Sequence, residues 1–247
     1  MAEGKLAGRV AIVTGSSRGI GKAVAMGFAR EGARLLVCGR TAGGGELSVE
    51  ATVLAIEALG AEALGLACDV TQEDQVDEMV RRTIERWGRI DVLINNAGSK
   101  FGGPFSETSF AQWNELMRTN VDGVFLCTKA VLPHMLERHA GSIVTVSTGR
   151  ARTDDAAAPA YAASKAAAER LMIKLAAEVK GQGIALNILY PGTTLTENAT
   201  NRGTPENPRL STEQKQIIPA CVCLATQTDE GISGQALDEA DFGLTWP

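Results

Sequence analysis

The chain has 247 residues, 45% of them apolar, with 27 glycines and a formal net charge of −5. That composition suits a packed globular core and excludes a disordered or collagen-like chain. The mild acidity and the lack of any Lys/Arg block argue against nucleic acid or an anionic membrane as a partner.

Apolar runs and amphipathic stretches alternate along the chain. Strands are expected at 9–14, 34–38, 61–68, 91–95, 142–148 and 184–190, and helices at 20–31, 46–59, 73–87, 110–137 and 160–180. Strands this apolar, joined by right-handed helical crossovers, imply an α/β fold: a single Rossmann-type, doubly wound parallel sheet with helices on both faces. No linker or composition break divides residues 1–247, so one domain is expected.

The first strand runs into TGSSRGIG (14–21). In such a turn Gly15 permits the bend, Gly19 lets backbone approach a phosphate and Gly21 lets the helix pack close to the sheet. A pyrophosphate would then meet the helix N-terminus near Ser17, Arg18 and Ile20. At the end of the second strand, where a carboxylate would select NAD, the chain reads CGRT with no acid between Leu35 and Ala42. Arg40 and Arg18 together suit a ribose 2′-phosphate, so NADP(H) is expected over NAD(H); the bland alternative is two solvated arginines. Asp69 and Val70 end the third strand, with Asp69 placed for an adenine amino group. Asn96, Ala97 and Gly98 end the fourth, small enough for backbone to lie against a flat ring.

Tyr161 and Lys165 stand four apart in the helical stretch after the fifth strand. They share a face there, and a lysine cation beside the phenol draws its pKa down towards neutrality, as acid/base work requires. A Tyr/Lys pair at this spacing is common on solvated helices; its place after the fifth strand favours the catalytic reading. Beyond Tyr190 the polar, Thr/Asn/Pro-rich stretch is expected to be irregular, with a substrate lid at about 193–212.

TGSSRGIG, Asp69, NNAG (95–98), Asn120 in MRTNVDG, Tyr161-Ala-Ala-Ser-Lys165 and Asn187 with Pro191-Gly192 occur in the order found in the short-chain dehydrogenases/reductases, which the chain resembles over roughly residues 6–196. The resemblance implies hydride transfer between NAD(P) and a carbonyl or alcohol. It also implies Tyr161 as general acid/base, Lys165 on the nicotinamide ribose and Asn120 holding a relay water. Pro191, Gly192, Thr193 and Thr196 would meet the nicotinamide carboxamide and phosphates. The family commonly has a serine thirteen residues before the tyrosine; here that position is Thr148, with Ser147 next to it. Successive strand residues face opposite ways, so one hydroxyl is expected in the cleft, and Thr148 is assigned. The resemblance further implies 3-oxoacyl reduction as a specific activity. It also implies a homo-oligomer, dimer or tetramer, paired through the helices at 110–137 and 160–180.

The remaining readings are plain. Cys38, Cys68, Cys127, Cys221 and Cys223 lie mostly in apolar runs with no CxxC or metal-ligand spacing, consistent with core packing in a reducing compartment. The N-terminal apolar run is too short for a signal peptide, so the cytoplasm is expected. His134 and His139 read as surface residues, and Trp87, Trp113 and Trp246 as packing. Lys100, Arg150 and Arg152 near the mouth could attract an anionic substrate, unless Asp154 and Asp155 neutralise them. The competing function is a non-catalytic NADP(H) sensor or scaffold on the same fold, against which Asn120, Tyr161 and Lys165 weigh.

Overall fold

The computed structural model describes residues 4–154, 157–191 and 210–247. Strands β1 (Val10–Val13), β2 (Arg34–Gly39), β3 (Ala63–Ala67), β4 (Val92–Asn95), β5 (Gly141–Val146), β6 (Ile184–Tyr190) and β7 (Ala236–Asp238) form one sheet in the order β3-β2-β1-β4-β5-β6-β7. Every neighbouring pair is parallel. The winding reverses between β1 and β4, so the crevice at their carboxyl ends is the topological switch point of a doubly wound fold.

Alternate strand residues feed two cores. On one face Ala11, Val13, Leu35 and Val37 pack with Val24 and Phe28 of α1 (Gly19–Arg30) and with Ile217, Cys221 and Leu224 of α7 (Leu210–Ala225). On the other, Ile12, Leu36 and Leu93 meet Val76 and Met79 of α3 (Glu73–Trp87), Cys127 and Val131 of α5 (Gly123–Arg138), and Met172 and Ala176 of α6 (Pro159–Glu178). Both faces are covered, which is why the strands read as continuous apolar runs rather than alternating ones. Two further short α-helices among the described residues are α2 (Val49–Glu57) and α4 (Phe110–Met117).

At the amino end of the sheet Asp91 is a buried clamp. Its carboxylate accepts from Val10 N (2.9 Å), Arg89 Nε (2.8 Å) and Nη2 (2.6 Å), and Arg138 Nη2 (2.9 Å), tying β1, β4 and α5 together. Burial works to raise its pKa, but these donors outweigh it and hold the carboxyl below its ordinary value.

Several expected boundaries move. Strand β5 stops at Val146, so Ser147 and Thr148 lie just past it rather than within it. The long helix expected at 110–137 is two helices joined by a π-helical turn, Arg118–Asp122, which places Asn120 in an inserted turn. Helix α2 begins only at Val49, where Ser48 Oγ caps it by accepting from Ala51 N at 3.1 Å. Helix α7 and strand β7 were not expected. The polar start of α7 and its internal Pro219 hide its apolar stripe, and β7 is too short for a period to register. Because α7 starts at Leu210, it claims the end of the stretch expected to be an irregular lid; positions 192–209 lie outside the described residues. Among the described residues no helix is long and apolar enough to cross a membrane.

Candidate active site

A cleft of about 940 Å³ opens at the carboxyl ends of the strands. Its floor is built by small polar residues that lock the first turn to its neighbours. Ser16 Oγ donates to Val13 O (2.8 Å) and accepts from Cys38 N (2.9 Å), fixing the turn to β2. Thr14 Oγ1 donates to Ile94 O (3.1 Å) and accepts from the backbone N–H of Asn96 and Ala97 (3.0 Å each), fixing it to β4. Asn96 Nδ2 closes the ring by donating to Thr14 O (2.9 Å) and Gly15 O (3.1 Å).

Two glycines make this geometry possible. Gly15 has φ of +63°, and a Cβ there would sit 2.8 Å from Ala97 Cα. A Cβ on Gly21 would collide with Asn96 Nδ2 and Gly15 O, so the first turn of α1 lies directly against the glycine turn. The open N–H groups of that helix end border the cleft at Gly19 and Ile20, an anion-binding arrangement.

Ser17, Arg18, Gly39, Arg40 and Thr41 line the end of the cleft beside β2, both arginines exposed. Asp69 and Val70 follow from β3; Asp69 Oδ1 accepts from Thr71 N at 3.0 Å. The donor set fits a nicotinamide dinucleotide: helix N–H groups and guanidiniums for phosphate, one carboxylate for a base amino group, and the Asn96–Gly98 backbone for a planar ring.

Asn120, fully buried behind the cleft, donates from Nδ2 to Ser99 O and Ser164 Oγ (2.9 Å each) and accepts at Oδ1 from Ser99 N (2.9 Å). Both amide hydrogens are therefore spent on holding the loop after β4 against α6. A methyl on Gly98 would come within 3.2 Å of Asn120 Oδ1 and 3.5 Å of Lys165 Nζ, so these two groups flank one small backbone gap.

Tyr161 lies in the first turn of α6, which opens with Pro159. Burial raises its phenol pKa, and the cation working the other way is Arg150. Lys165 was expected to do that; instead its Nζ donates to Val146 O at 2.9 Å. Lys165 is itself pulled down to about 8 by burial, against the opposing charge of Glu169. Lys100 Nζ stands 6.0 Å from the centroid of the Tyr161 ring. Arg152 points elsewhere: its guanidinium stacks 4.6 Å from the Tyr190 ring centroid and donates to Ala236 O at 3.5 Å.

Of the expected residues, Gly15, Ser17, Arg18, Gly19, Ile20, Arg40, Asp69, Val70, Asn96, Ala97, Gly98, Thr148, Tyr161, Lys165 and Pro191 border the cleft. Gly21 and Asn120 support it from behind, and Gly192, Thr193 and Thr196 lie outside the described residues. Sequence reasoning missed Thr14, Ser16, Ser99 and Ser164, whose roles are hydrogen bonds between distant segments. It also missed Glu169, although a carboxylate four residues after Lys165 on the same helix face was a readable signal.

The chain is similar to known proteins over most of its length. Residues 9–207 match the model of the short chain dehydrogenase family. A (2S)-[(R)-hydroxy(phenyl)methyl]succinyl-CoA dehydrogenase subunit from Thauera aromatica is 39% identical over 184 residues, 74% of this chain and 72% of that protein. A 3-oxoacyl-[acyl-carrier-protein] reductase from Synechocystis is 34% identical over 196 residues, 78% of each chain. A metagenomic short-chain oxidoreductase solved with NADP superposes with a TM-score of 0.79 at 31% identity, covering 95% of this chain and 97% of that one. The chain belongs to the short chain dehydrogenase family and is a nicotinamide-dependent oxidoreductase acting on hydroxyl or carbonyl groups.

Proposed function

We propose that the protein is an NADP(H)-preferring reductase or dehydrogenase of the carbonyl/secondary-alcohol couple, with 3-oxoacyl thioesters as its substrate class. The observation that carries the reaction type is that Thr148, Tyr161 and Lys165 line the same cleft as the glycine turn, with Lys165 Nζ beside Gly98. Support for the thioester class is by analogy to the two relatives named above, whose substrates are acyl-carrier and CoA derivatives. Support for NADP(H) is the Arg18/Arg40 pair with no acid at the end of β2.

The nicotinamide, when bound, supplies or accepts the hydride. In the reductive direction Thr148 Oγ1 donates to the carbonyl oxygen and polarises it. Tyr161 delivers its phenolic proton to that oxygen as negative charge develops there. Lys165, whose Nζ donates to Val146 O beside Gly98, presents its ammonium to the ribose. Asn120 keeps the loop bearing Ser99 against α6, so that the tyrosine and the Asn96–Gly98 backbone hold one spacing. In the oxidative direction the same atoms exchange the proton the other way.

The chain would work as one domain and as a homo-oligomer in the cytoplasm. Phe110 on α4 and Phe125 on α5 are exposed apolar side chains on the helices that would pair.

The direct test follows NADPH absorbance across a panel of 3-oxoacyl thioesters, simple ketones and aldehydes. Turnover is expected, fastest on a 3-oxoacyl thioester. Tight NADPH binding with no turnover on any carbonyl would instead favour a sensor or scaffold.

A further inference from the structure

Glu169 follows Lys165 by one helical turn and Tyr161 by two, on the same stretch of α6. It is buried, 8% exposed, and both carboxylate oxygens are engaged by neutral hydroxyls. Ser147 Oγ donates to Oε1 at 2.5 Å and Tyr190 Oη donates to Oε2 at 2.7 Å. Burying a carboxylate is expensive, and hydroxyl donors alone offset little of that cost. A group kept there at that cost invites a functional account.

The geometry supplies one. Lys165 Nζ is bonded to Val146 O, and Glu169 is bonded to Ser147, the very next residue. Tyr190 ends β6. Two successive turns of α6 are thus latched to two successive residues at the end of β5, with a third tie to β6. The helix that presents Tyr161 and Lys165 is registered against the sheet at the cleft itself.

We propose that Glu169 is a positioning residue for the reaction: its carboxylate, held by Ser147 and Tyr190 one helical turn from Lys165, keeps the Lys165 ammonium aimed beside the Val146 carbonyl. This rests on the reading of Tyr161 and Lys165 as the acid/base pair. Burial lowers the Lys165 pKa and the charge of Glu169 resists that. Burial and Glu169 together push the Tyr190 hydroxyl well above its usual value, so it stays a neutral donor. Of the other charged or titratable groups, Arg152 stacks on the Tyr190 ring, Arg150 acts on Tyr161, and Lys100 stands over the Tyr161 ring, while Asp238, Glu115 and Arg118 line the same cleft. Substitution at Glu169 leaves all of these in place.

The test reads the ionisation of Lys165 directly, by NMR titration of isotope-labelled lysine side chains in the full-length protein, its signal assigned with Lys165→Met. In Glu169→Gln the Lys165 midpoint should fall by about one pH unit or more, and the alkaline limb of kcat/KM should fall with it. Glu169→Asp, which restores the charge, should return both towards the parent. An unchanged midpoint in folded Glu169→Gln, whatever its loss of Tm, would overturn the proposal and leave Glu169 a structural anchor. Should the Gln variant fail to fold, Ser147→Ala/Tyr190→Phe removes both donors and so disfavours the buried carboxylate's charged form. The Lys165 midpoint should then fall, and an unchanged midpoint in the folded double variant overturns the proposal. Failure of the underlying reading looks different: Tyr161→Phe would retain turnover, whatever the lysine titration showed.

Discussion

Ser147 and Thr148 are adjacent in the chain and both border the cleft, but their hydroxyls have different partners: Ser147 Oγ donates to buried Glu169 at 2.5 Å, while Thr148 Oγ1 accepts from Arg150 N at 3.5 Å. Among the described residues Ser147 has committed its hydroxyl hydrogen to Glu169, whereas the Thr148 contact is a long one in which Oγ1 is the acceptor. Thr148→Ala should therefore lower kcat by roughly two orders of magnitude, as expected for a lost oxyanion-type donor, with NADPH affinity nearly unchanged. Thr148→Ser should retain most activity, since only a methyl is removed. Ser147→Ala should cost about 1–2 kcal/mol of stability through the stranded carboxylate, and far less turnover than Thr148→Ala. Steady-state kinetics and thermal melts of the three variants decide it; a silent Thr148→Ala beside an inactive Ser147→Ala would reverse the assignment.

Arg18 and Arg40 border the cleft beside β2, where the chain carries no acid. NADPH should exceed NADH in kcat/KM by about tenfold or more, equivalent to about 1.4 kcal/mol. Arg40→Asp should reverse the preference, because a carboxylate there accepts from a ribose 2′-hydroxyl and repels a 2′-phosphate. Equal kcat/KM for the two cofactors in the unaltered protein would show that the arginines are only solvated surface.

Asp91 sits far from the chemistry and tests the fold instead. Its pKa is held below the ordinary carboxylate value. Its contribution is therefore fully present above the unfolded-state pKa and is lost as pH falls through the folded one. Asp91→Asn should cost about 3 kcal/mol near neutrality, since Arg89, Arg138 and Val10 N lose a charged acceptor. The Tm gap between parent and variant should stay constant down to the ordinary carboxylate range and narrow below it. A gap that does not change with pH would mean the clamp owes nothing to the carboxylate's charge.

The order of strands and the position of each motif at a strand end were legible in the sequence, because a parallel sheet covered on both faces leaves unbroken apolar runs that end where the ligand binds. Glycine positions were legible for a related reason: Gly15 and Gly21 each meet a backbone contact that no side chain permits. What escaped was set by tertiary partners. The end of β5 at Val146 falls inside a local Val/Thr run that carries no stop signal, and the partner of Ser147, Glu169, lies twenty-two residues away. The π turn around Asn120 breaks no local propensity, since MRTNVDG reads as ordinary helix. The expected effect of Lys165 on Tyr161 assumed that two residues on one helix face meet each other, whereas Lys165 reaches the sheet instead.

Tyr161 as proton donor is the centre of the proposed reaction. The decisive measurement is kcat for NADPH-dependent reduction of the best carbonyl substrate by Tyr161→Phe, set beside its NADPH dissociation constant from fluorescence titration. Turnover should fall by about a hundredfold or more, with NADPH affinity within a fewfold of the parent, because only the proton donor is removed. Turnover retained within about tenfold by a folded, NADPH-binding Tyr161→Phe protein would contradict that role, since the proton would then have to come from another group.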